Sequence, residues 1–157
     1  MLIAKLLMQI PEWVVLCAPF FVCTGVCGGI LYRRDGRLAR AAVVDLVLSL
    51  GGILVIGLDK HVIPLFAQNV FVDHIDDFFV GPVSIGTLNL LLVVLRRAPW
   101  RSFARCFLFS LGFGLALELV YPLCSAHVGA DWFDLSVYVA GGLATALVYW
   151  IVLRDKA

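Results

Sequence analysis

Eleven acidic residues and three histidines are the chief groups in this 157-residue chain able to hold a cation or move a proton, and seven of the acids and all the histidines fall in knots. Asp59-Lys60-His61 is the first, and Asp73-His74-Ile75-Asp76-Asp77 the second. Glu118 and Tyr121 make a third, and Asp131 with Asp134, preceded by His127, a fourth. Asp131, Asp134 and Tyr138 are spaced by three and then four residues, so on a helix they form one stripe, continued by Gly141 and Thr145. Such side chains supply oxygen and nitrogen donors for a polar ligand or a divalent ion. Asp73, His74 and His127 are the candidates for metal ligation. Glu118 stands out because it is still inside an apolar run, where a carboxylate is costly unless it is paired or faces a hydrated cavity. The chain has no His-Glu-x-x-His, no Gly-x-Ser-x-Gly and no glycine loop fit to cradle phosphate, so no catalytic residue and no cofactor are assigned.

The elements that must position these groups are apolar. Hydrophobic residues make up 62% of the chain and charged ones 15%, with a mean hydropathy of +1.02. A soluble domain of this length needs more polar surface than that. Five stretches, 13–32, 41–58, 79–95, 106–123 and 135–153, are each about 17–20 residues long, enough for a helix to cross the hydrocarbon of a bilayer. The spacing therefore predicts an all-α, polytopic transmembrane bundle in a single domain. The shorter run 62–72 contains Pro64, Gln68 and Asn69 and reads as re-entrant or interfacial. Small residues, among them Gly25, Gly28, Gly29, Gly51, Gly52, Gly112, Gly114, Gly141 and Gly142, mark faces where helices in lipid can approach.

Charge sets the orientation. Arg33, Arg34, Arg37 and Arg40 lie between spans one and two, Arg96, Arg97, Arg101 and Arg105 between spans three and four, and Arg154 and Lys156 after span five. The positive-inside rule makes that side cytoplasmic, with the N-terminus outside and the C-terminus inside. The acidic knots and all three histidines then face outward, in the plasma (inner) membrane. A net charge of +1 gives no reason to expect nucleic acid. The partners expected are the lipid bilayer and a membrane protein or a second copy. Met1–Ile10 lacks a small-residue cleavage site, so the first span reads as retained. Asp45, a turn into span two, reads either as a coupling-ion carboxylate or, preferably, as the partner of Arg40 or another arginine on that side. The five cysteines read as small apolar residues, with a Cys17–Cys124 disulfide at the outer face conceivable.

Two segments carry a family resemblance. Glu118-Leu-Val-Tyr121-Pro122 followed by Asp131-Trp-Phe-Asp134-Leu-Ser-Val-Tyr138-Val-Ala-Gly141 resembles the C-terminal signature of VanZ-like membrane proteins. That signature has a Glu with a Gln three later, a basic residue, then Asp-x2-Asp-x3-Asn-x2-Gly. Asp59-Lys60-His61 resembles, with compressed spacing, the family's earlier Asp-Lys-x-x-His element. Here Tyr121 stands for the Gln, Tyr138 for the Asn, and His127 for the basic residue. The chain is also similar to a related group with Tyr in place of that Asn, in which an Asp pair precedes a span with an early proline, as Asp76-Asp77 precedes Pro82. The resemblance spans about 100 residues, from Asp59 to the end of span five.

Glu118, Tyr121, Asp131, Asp134, Tyr138, Asp59, His61, Asp76 and Asp77 are thus the expected ligand-binding set. The function expected first is binding of a cell-envelope or lipid ligand, or a membrane partner, at an outer acidic cleft. A small transporter using Asp45 and Glu118 comes second, and a metal-dependent membrane hydrolase third.

Overall fold

The computed structural model describes residues 12–61, 74–124 and 132–154, and all regular structure among them is helical. Five helices follow in order: α1 Glu12–Asp35, α2 Arg40–His61, α3 Ile75–Val94, α4 Phe103–Cys124 and α5 Trp132–Leu153. Each corresponds to one expected span. Arg40–Asp59, Ile75–Val94 and Trp132–Leu153 are long and apolar enough to cross a membrane. The run 62–72 lies outside the described residues.

The helices reach further than the apolar runs. α3 starts four residues before position 79 and takes Asp76 and Asp77 into its first turn, while α5 takes in Asp134. Carboxylates are favoured there because the unpaired N–H groups of a first turn carry partial positive charge. The two arginine-rich turns are locally specified. α1 ends at Gly36, whose φ of 67° and N–H bond to Tyr32 O make a left-handed cap. α3 ends with Arg96 at φ 56°, its N–H on Val93 O and that of Arg97 on Leu92 O, a complete Schellman motif that stops ahead of Pro99. Ser102 then opens α4 by accepting the Arg105 N–H on its Oγ at 3.4 Å.

α3 is the central helix. It packs on α1, α2 and α5, while α4 packs chiefly on α5 and touches α3 at fewer points. Every residue from Gly81 to Thr87 is buried. Large apolar side chains point outward instead, with Val47, Leu54 and Leu108 each more than 60% exposed, whereas Thr24, Asp45, Ser49 and Asn89 are fully enclosed. That inverts the pattern of a water-soluble domain and suits a lipid surround.

Backbones come closest where α3 crosses α5. Pro82 has no N–H, which frees the Phe78 carbonyl four residues earlier, and Gly141 of α5 sits directly on that oxygen. A Cβ at Gly141 would overlap it, and one at Gly142 would overlap Ser110 Oγ of α4. Gly86 likewise lies against the Asp45 carbonyl of α2. The expectation that all the small residues serve packing is corrected here. Gly25, Gly29, Gly51 and Gly112 have nothing within 4 Å of an added Cβ, because the first two and Gly112 lie on exposed faces and Gly51 opens onto a groove between α2, α3 and α5.

Candidate functional site

The arginine-free ends of α3, α4 and α5 meet in a polar cluster. His74 is the N-cap of α3 by its backbone, but its side chain makes no capping bond. The imidazole turns toward α5 instead, with Nδ1 2.7 Å from Asp134 Oδ1 and 3.5 Å from Asp77 Oδ2. Phe133 covers the ring edge-on at 4.8 Å between centroids. Asp77 and Asp134 reach this point because each lies in the first turn of its helix.

Behind them stands Tyr138, 7% exposed, one turn further into α5. Its single O–H is shared between Asp77 Oδ1 at 3.1 Å and Glu118 Oε1 at 3.3 Å. Three helices are thus linked through one phenol, and Glu118, itself 7% exposed, is met within the apolar stretch of α4 by a polar partner. Gly114 of α4 makes room, since a Cβ there would strike the Tyr138 ring. Asp76 adds a further negative charge beside Asp77. Burial works against charge on His74, but Asp134 and then Asp77 outweigh it and hold its pKa above the ordinary value.

Of the expected ligand-binding residues, the structure therefore brings together Asp77, Glu118, Asp134 and Tyr138, with Asp76 alongside, and it adds His74 from the metal candidates. Asp59 is buried at the end of α2. Asp73, His127 and Asp131 lie outside the described residues, as do the side chains of His61 and Tyr121. The pairing of Cys17 with Cys124 is not formed, because Cys17 is a free, buried thiol.

A second polar network fills the arginine end. Asp45 receives Arg101 Nη2 on one oxygen at 2.5 Å and Tyr149 Oη on the other at 2.7 Å. Asn89 donates to Tyr149 Oη at 3.0 Å and to Trp100 O at 3.1 Å, and accepts the Trp100 N–H at 2.6 Å. Arg101 also lies over the Tyr149 ring, 5.7 Å from its centroid. Asp45 is thus an arginine partner, as the preferred reading had it, with Arg101 in place of Arg40.

Between the two ends Thr24, Ser49 and Thr87 join α1, α2 and α3 in a triangle of hydroxyls with sides of 2.7, 2.8 and 2.9 Å. Three hydroxyls supply three hydrogens and three acceptors, so the ring satisfies itself. Thr24, Thr87, Tyr149 and Arg101 carry these networks, and nothing in their local sequence marks them. An apolar groove of about 330 Å³ runs along α2, α3 and α5, from Phe78 and Pro82 past Gly51 to Val148.

No protein family, curated protein or solved structure matches the chain.

Proposed function

We propose that this chain is a five-span, VanZ-like protein of the plasma membrane that binds the polar head of a lipid or cell-envelope amphiphile at its outer face. The observation that carries the reading is Tyr138 set between Asp77 and Glu118 beneath apolar helices. Carboxylates at such depth are costly, and bundles concentrate them where a ligand or ion is handled. His74 and Asp134 form the mouth of this site, toward the end of the bundle away from the arginines. The groove supports the amphiphile, since it begins at Phe78, the residue after Asp77, and has the apolar lining that a hydrocarbon chain requires. The five-span orientation rests on the arginines, which gather in the turns at the opposite end.

Native mass spectrometry of the gently solubilised protein tests this. The wild type should carry a bound amphiphile that is depleted in a Glu118→Gln, Asp134→Asn variant of equal melting temperature. Equal occupancy in both, or none in either, counts against the site.

A further inference from the structure

Resting on that reading of the outer site, we infer that His74, Asp77 and Asp134 form a divalent-cation site whose resident ion receives the anionic group of the amphiphile. One imidazole nitrogen and two carboxylates are the mixed donor set that suits Zn²⁺ and its first-row neighbours better than Mg²⁺ or Ca²⁺. Their ligand atoms lie within 4.8 Å of one another. Asp134 Oδ1 and Asp77 Oδ2 are 2.7 and 3.5 Å from His74 Nδ1. With bonds of about 2.1 Å, the two His74 separations correspond to angles at the ion of roughly 80° and 113°, and the Asp77 and Asp134 oxygens must lie within about 4.2 Å of each other when the ion is bound.

Two further observations separate this trio from a solvated acidic patch. His74 Nδ1 and Asp134 Oδ1 are both closed off from solvent and lie 2.7 Å apart as an ion pair, so the donor atoms of the trio face one another rather than bulk water. Asp77 is also held from behind, with Oδ1 accepting from Tyr138 while Oδ2 faces His74. That is the outer-shell arrangement which orients a ligating carboxylate. The ion also resolves a conflict of charge, because most lipid and cell-envelope head groups carry phosphate or carboxylate, which a site of bare carboxylates repels. Three protein ligands leave a coordination position open for such a group.

The test uses the full chain in detergent, stripped with chelator and titrated with Zn²⁺ by calorimetry and with Co²⁺ by visible absorption. The wild type should bind one Zn²⁺ per chain, and the Co²⁺ spectrum should show nitrogen and oxygen donors without the thiolate charge-transfer band. His74→Gln and Asp134→Asn should each weaken binding more than Tyr138→Phe, for which a loss of about tenfold is expected. Cys23→Ser should leave it unchanged. Failure of the wild type to saturate, a thiolate band, or equal affinity in His74→Gln and the wild type overturns the inference. The Co²⁺ spectrum needs no variant, so a substitution that fails to fold does not remove the test. Loss of this site with an amphiphile still bound at the outer face would sink the metal and leave the function standing. One Zn²⁺ per chain with no amphiphile would support the metal and sink that function.

Discussion

Replacing Arg101 with Met should strand the Asp45 carboxylate inside the bundle. Asp45 is fully buried, and its two oxygens are taken by Arg101 at 2.5 Å and Tyr149 at 2.7 Å. Removing one partner of a buried ion pair typically costs about 3–5 kcal/mol, because a desolvated charge is left uncompensated. The Arg101 side chain keeps 22% of its surface exposed, so water can reach the vacated place, and the expected loss is near the lower end, about 3 kcal/mol. Removing both charges, with Asp45→Leu added to Arg101→Met, should return stability to within about 1 kcal/mol of the wild type. The double-mutant cycle then shows a coupling of roughly 2–3 kcal/mol. Tyr149→Phe, which removes two interhelical hydrogen bonds, to Asp45 and from Asn89, and leaves the ion pair, should cost less, about 1–2 kcal/mol. The assay is equilibrium unfolding in mixed micelles of increasing denaturing-detergent fraction, followed by helical circular dichroism. A loss below about 0.5 kcal/mol for Arg101→Met would place the pair with exposed surface ion pairs and refute the reasoning.

Other outcomes follow from the same contacts. Gly141→Ala and Gly142→Ala should each destabilise the protein by about 1–3 kcal/mol in that assay, whereas Gly25→Ala and Gly112→Ala should be neutral or slightly stabilising, since only the first two Cβ atoms meet neighbours. In a cysteine-free background, Ser136→Cys should react with an impermeant maleimide on intact cells and Arg97→Cys only after lysis; the reverse pattern would invert the orientation. The raised pKa of His74 makes its contacts stabilising while the ring is charged. In chelator-stripped protein that contribution, below about 1 kcal/mol at a partly exposed position, is complete below the ordinary histidine pKa and is lost as pH rises through the folded-state value. The melting temperature should thus fall more between pH 6 and 8 in the wild type than in His74→Gln, and equal slopes would contradict this.

Much of the frame was legible because hydropathy and charge act on whole segments. Five apolar runs became five helices, and the separation of arginines from acids placed Asp45 and Glu118 at opposite ends of the bundle. Asn89 lies inside the third apolar run and bonds Tyr149 of α5. Facing was harder to read. α1, α2 and α4 are apolar nearly all round, so periodicity does not say which side turns inward. Gly25 and Gly51 therefore read as packing positions from sequence, while Thr24, one residue away from Gly25, carries the hydroxyl ring. Which of the arginines pairs with Asp45, and that Tyr149 joins them, is not legible for another reason. Their meeting depends on how α5 and the turn before α4 are set against α2, which no local spacing encodes. At the acidic end Tyr138 was found by its stripe with Asp134, but its role as a bridge between Asp77 and Glu118 required the crossing of three helices.

The central claim is that the acidic end is built to bind rather than merely to hold helices together. Its most direct test is the melting temperature of wild type and of the Glu118→Gln, Asp134→Asn variant in detergent, with and without added lipids of phosphate- and amine-bearing head groups. The account predicts similar melting temperatures without lipid, and a rise with one head-group class in the wild type alone, since a ligand of the folded state stabilises it by linkage. If the variant melts far below the wild type without lipid, and no head group raises either protein, the cluster is structural and the account is wrong.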